Sequence, residues 1–119
     1  MPRRLDLSAA GGSQLEPRGP GESESGDMEL LTEDEISARL GGIPGWERQG
    51  SSITTTVTRS DFREAMLFTG AVAYLAEQAG HHPDILIQWN KVTLTLSTHS
   101  AGGLTAADFD LAAKTSALG

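Results

Sequence analysis

Residues 85 to 97 alternate in side-chain character with a period of two, and this constrains the fold more than any other feature of the chain. Ile85, Ile87 and Trp89 alternate with Leu86 and Gln88, and Val92, Leu94 and Leu96 alternate with Thr93, Thr95 and Ser97. Such a period belongs to strands with one buried face. A two-residue turn at Asn90-Lys91 would set Trp89 opposite Val92 and bring both apolar sets to one side of a hairpin.

The same period occurs upstream. Ile53, Thr55 and Val57 alternate with Thr54, Thr56 and Thr58, after an extended segment from Trp46 to Arg48 and a turn at Gly50-Ser51. This reads as another hairpin. Helix signals punctuate the strands. Thr32 and Glu35 form a capping box with a hydrophobic staple between Leu31 and Ile36, opening a helix that stops near Leu40 at Gly41-Gly42. Asp61 and Glu64 form a second box and open the longest helix, Phe62 to about Ala79, which Gly80 closes and Pro83 keeps from continuing. Thr105 and Asp108 cap a last helix, stapled by Leu104 against Phe109. The order α-β-β-α-β-β-α predicts an α+β fold, a four-stranded antiparallel sheet with three helices packed on one face.

The longest helix is apolar over more than one stripe, with Phe62, Met66, Val72 and Ala76 on one side and Phe68, Ala71 and Leu75 on another. A helix of that kind buries a second face, and a homodimer or homotetramer contact would supply the cover.

A chain of 119 residues suits one domain. Residues 1–28 hold five of the 14 glycines and three of the 5 prolines with almost no apolar periodicity, so they read as a disordered extension ahead of a domain at 29–119. Glu22 to Glu35 holds seven acidic residues and no basic one, which reads as a solvated tail. The net charge of −7 disfavours direct nucleic-acid binding and attachment to anionic membranes. No apolar run approaches the roughly 20 residues that span a bilayer, and no apolar segment follows Arg3 and Arg4 as in a secretory signal. With zero cysteines, disulfides, thiolate metal sites and cysteine nucleophiles are excluded. The chain reads as soluble and cytoplasmic.

All 3 histidines fall between positions 81 and 99. An imidazole titrates near pH ~6.5, so a cluster suits proton transfer at neutral pH. Read from the residues alone, the cluster is balanced between a site and hydrogen-bonded structural histidines. A zinc site is disfavoured, because His81 and His82 stand extended before Pro83 with side chains pointing apart, and no histidines lie at helical i, i+4 spacing. Glu77, four residues before His81, would face that imidazole if the helix persisted so far, fixing its tautomer. Asp108 closes a capping box and reads as structural first. His99 falls on the polar side of its strand, at the rim of the sheet.

Taken together, Glu77, His81-His82-Pro83, Trp89, His99 and Asp108, with Asn90-Lys91-Val92 and Leu96-Ser97-Thr98-His99 between them, resemble the signature of the pterin-4a-carbinolamine dehydratases. The resemblance covers about Glu29 to Ala117. It implies dehydration of a 4a-hydroxytetrahydropterin, recycling the cofactor of an aromatic amino acid hydroxylase, with the pterin as substrate, no metal and no further cofactor. It implies His81 and His99 as the proton-transferring pair, His82 as a binding residue that assists, and Glu77 in support. Trp89 would lie in the core with an edge near the pocket, Thr98 and Ser100 would bond the pyrimidinone edge, and Pro83 and Asp108 would hold the loops. Family members also serve as dimerisation partners of transcription regulators, so an interaction module that binds a protein partner is the rival reading.

Overall fold

The computed structural model describes residues 29–119. The disorder expected of residues 1–28 lies outside the described residues. The elements run α1 (Glu33–Leu40), β1 (Glu47–Gln49), β2 (Ser52–Thr58), α2 (Phe62–Ala79), β3 (Asp84–Gln88), β4 (Lys91–Leu96) and α3 (Ala106–Ser116), with a 3-10 turn at His99–Ala101. The strands form one antiparallel sheet in the order β1-β2-β4-β3. This is the α+β arrangement expected from the pattern, with the helices on one face.

Alternation decides which face they cover. Ile53 of β2 and Val92, Leu94 and Leu96 of β4 are buried in one core with Ile36 of α1, Phe68, Val72 and Ala76 of α2, and Phe109 and Leu111 of α3. The other face of the sheet carries threonines whose hydroxyls pair across β2 and β4. Thr54 meets Thr95 at 3.3 Å and Thr56 meets Thr93 at 3.0 Å. Such cross-strand pairs stabilise a sheet face that no helix covers.

Helix ends follow the sequence signals where the signals are local. Thr32 and Glu35 exchange both bonds of the α1 box, 3.2 Å from Glu35 N–H to Thr32 Oγ1 and 2.8 Å from Thr32 N–H to Glu35 Oε1. At α2 only half of the expected box forms, with Asp61 Oδ1 accepting from Glu64 N–H at 2.8 Å. The apolar arc of α2 divides differently from the expected grouping. Val72 and Ala76 share the buried face with Ala65 and Phe68, while Phe62, Met66, Leu67 and Tyr74 are exposed. Four-residue steps from Phe68 through Val72 to Ala76 drift by only about 40° each, which keeps all three towards the sheet.

The β3–β4 turn lies one residue earlier than expected, at Trp89-Asn90. Gln88 pairs with Lys91, and Val92 faces Ile87 instead of Trp89. The partner changes by two positions, so Ile85 and Ile87 keep the face they share with Leu94 and Val92. Asn90 fixes the turn, its amide donating to the Arg59 carbonyl at 3.1 Å and its own carbonyl accepting from Arg59 N–H at 2.7 Å. Trp89 is left in the turn with φ 53° and 66% exposed, outside the core that was expected to hold it. Among the described residues no helix is long and apolar enough to cross a membrane.

Candidate active site

The site begins where α2 ends. Gly80 takes φ 64°, and His81 N–H bonds back to the Ala76 carbonyl at 3.1 Å. This is a left-handed helix cap, which suits glycine because a side chain there costs about 1–2 kcal/mol. Pro83 then prevents the helix from resuming. The adjacent imidazoles diverge from this cap, with the His81 side chain 13% exposed and that of His82 62% exposed.

Helical spacing would pair Glu77 with His81, but Glu77 pairs with His82 instead, at 2.6 Å between Oε2 and Nε2. The left-handed Gly80 ends the helical repeat, so the i, i+4 relation no longer reaches residue 81. His81 meets Asp108, with Nε2 2.5 Å from Oδ1. Asp108 is fully buried, and its other oxygen accepts from Thr98 Oγ1 at 2.8 Å and from Thr105 N–H at 2.9 Å. The residue read as a structural cap therefore closes the box and also holds an imidazole. As a carboxylate Asp108 is an acceptor only, so the proton between the two groups sits on Nε2, and Nδ1 of His81 lies outside this pair.

His99 follows β4 as the first residue of the 3-10 turn. An isolated bridge between Thr98 and Gly103 closes this loop, and Leu31 N–H pins its far end to the Leu104 carbonyl at 3.0 Å. His81, His82 and His99 line one open depression of about 280 Å³, together with Ser97, Thr98 and Ser100. That is close to the lower end of the volumes that hold small ligands, about 300 Å³. A neighbouring depression of about 220 Å³ lies against α3 and shares His81, but neither of the other imidazoles lines it. Among the described residues no group of three or more His, Asp or Glu side chains is placed to hold a metal ion.

The structure thus brings together the three histidines, Thr98 and Ser100. Glu77 joins them through His82, and Pro83 stands half-buried beside the pair. Trp89 is not brought in. It sits five residues beyond Asp84 along β3, roughly 16 Å away at about 3.3 Å per residue. Thr98 is 2% exposed with its hydroxyl engaged by Asp108 and Thr105, so that hydroxyl is not free for a ligand. Ser97 was not singled out from sequence. Its signal was its place on the polar face of β4, shared with Thr93 and Thr95.

The class defined by fold and site is a helix-backed antiparallel sheet with three imidazoles gathered where β4 and α2 end. The model of the pterin 4 alpha carbinolamine dehydratase family matches residues 29–118, and the chain belongs to that family. A protein of Roseiflexus castenholzii named for the same family is 59% identical over 85 residues, which is 71% of this chain and 91% of the relative. Among solved structures, a transcriptional coactivator/pterin dehydratase from Brucella melitensis superposes with a TM-score of 0.71 at 36% identity, covering 74% of this chain and 96% of the other. A pterin dehydratase-like protein identified as a RuBisCO assembly factor of the alpha-carboxysome superposes with a TM-score of 0.54 at 27% identity, covering 62% of this chain and 88% of the other.

Proposed function

We propose that this protein dehydrates 4a-hydroxytetrahydropterin to quinonoid dihydropterin and water by histidine acid–base catalysis, using no metal and no further cofactor. In this reaction the C4a–O bond breaks, the leaving hydroxyl takes a proton and departs as water, and N5 gives up its proton as the C4a=N5 bond forms. Atoms and charge balance with one acid and one base. His81 and His99 supply these two roles. The observation that carries the reading is the single depression lined by all three imidazoles, with His81 held through Nε2 by a buried carboxylate. Positioned acid–base groups contribute about 10²–10⁴-fold each. His82, paired with the exposed Glu77, binds and orients the ring, and Ser100 offers a hydroxyl to its polar edge. Turnover of 4a-hydroxytetrahydropterin by the purified protein, followed by ultraviolet absorbance, tests the proposal.

A second reading is an interaction module of the same fold. The exposed apolar side chains of α2 and β3 favour it, among them Leu67, Tyr74 and Leu86, and the coactivator and assembly-factor relatives show that the fold accompanies such roles. Absent turnover together with retained folding would bring this reading forward.

A further inference from the structure

We infer that Thr98 is the positioning residue that ties His81 to His99, so that one buried threonine sets the geometry of both imidazoles. The inference rests on the acid–base roles proposed for those two residues. Thr98 Oγ1 donates to Asp108 Oδ2 at 2.8 Å. A hydroxyl has one proton, so the 2.8 Å contact between Thr98 Oγ1 and Thr105 Oγ1 is donated by Thr105. Thr105 Oγ1 in turn accepts from Ala107 N–H at 3.3 Å. The bonds therefore run one way, from the first turn of α3 through Thr105 and Thr98 into Asp108, whose remaining oxygen holds His81. Hydrogen bonds in such a chain polarise one another, and the positive end of a helix dipole at its start acts in the same sense.

The backbone of Thr98 serves the other histidine. Its carbonyl accepts from Ala101 and Gly102 N–H groups, both at 3.0 Å, and its N–H donates to the Gly103 carbonyl at 2.9 Å. These bonds shape the turn that carries His99. The side chain thus orients one imidazole while the main chain places the other, and the site does not need Thr98 to touch the ligand through its hydroxyl.

Two substitutions separate this role from a purely structural one. Thr98→Val keeps the shape and removes the hydroxyl, whereas Thr98→Ser keeps the hydroxyl. Nitrogen-15 NMR of the imidazoles reports the tautomer of each histidine without any turnover. In the wild-type protein His81 is expected to carry its proton on Nε2. Thr98→Ser should keep that tautomer and near wild-type turnover of 4a-hydroxytetrahydropterin. Thr98→Val should give mixed tautomers at His81, leave His82 unchanged, and lower kcat by about 10–100-fold with little change in KM. A wild-type His81 protonated on Nδ1 would overturn the inference, and this outcome needs no variant to fold. Wild-type tautomer and kcat in Thr98→Val would also overturn it, as would a Thr98→Ser protein as impaired as Thr98→Val. A wild-type protein that shows the Nε2 tautomer but turns nothing over would contradict the dehydratase reading and leave the positioning network standing.

Discussion

His81 and Asp108, 27 residues apart, meet at 2.5 Å between Nε2 and Oδ1 and so join the end of α2 to the first turn of α3. The carboxylate is fully buried with three donors around it. Removing it leaves those donors without a partner, each a desolvated polar group costing about 1–3 kcal/mol. Asp108→Ala is therefore expected to lose about 3 kcal/mol or more of folding stability, the summed cost of the donors left unpaired. The measurement is a urea midpoint that falls at unchanged slope. His82→Ala, which removes an exposed pair, should barely shift the midpoint. Equal midpoints for the two variants would contradict the structural weight given to Asp108.

Glu77 acts on His82, so its removal should show in binding. On the proposed mechanism, Glu77→Gln and His82→Ala are both expected to raise KM more than they lower kcat, because they disturb the group proposed to orient the pterin and leave His81 and His99 in place. Steady-state kinetics on both variants check this. A Glu77→Gln protein with wild-type KM and a kcat reduced more than about 10²-fold would place the carboxylate in proton transfer instead.

The exposed apolar face of α2 and the edge strand β3 should be covered by a second copy of the chain. Phe62, Met66, Leu67 and Tyr74 lie on α2, and Ile85, Leu86 and Trp89 lie along β3 and its turn. Light scattering is expected to give a mass of at least a dimer, above the 12.5 kDa of one chain. Leu67→Glu should shift that mass downward by placing a charge in an apolar contact. A monomer mass for the wild-type protein at micromolar concentration would rule out this assembly.

Residues 1–28 are expected to be dispensable. The family match begins at residue 29, and among the described residues the first backbone tie to the His99 loop is made by Leu31. A chain starting at residue 29 should keep the melting temperature and turnover of the full chain. A large fall in either would mean that the extension packs on the domain or completes the site.

What the sequence made legible was local. The Thr32–Glu35 and Thr105–Asp108 boxes, the Gly80 cap and the alternation of Leu94 and Leu96 depend on neighbours within a turn or a strand, and all are present. The partners of Glu77 and Asp108 were not legible. Each depends on a change of direction that spacing does not encode, the left-handed residue at Gly80 in one case and the docking of α3 beside the end of α2 in the other. The Trp89-Asn90 turn was missed for a related reason. Asn90 takes its place by bonding Arg59, a residue 31 positions away, and Trp89 accepts a positive φ that few bulky side chains adopt. Thr98 looked like a ligand-facing hydroxyl because its burial follows from contacts with Thr105 and Asp108 at the start of α3, which spacing along the chain does not encode.

The most direct test is turnover of 4a-hydroxytetrahydropterin by the wild-type, His81→Ala and His99→Ala proteins, measured in chelating buffer. Wild-type turnover should persist without metal, and each substitution should lower kcat by about 10²–10⁴-fold, equivalent to about 3–5 kcal/mol of transition-state stabilisation, while the fold survives. Wild-type rates in both alanine variants would contradict histidine acid–base catalysis at this site.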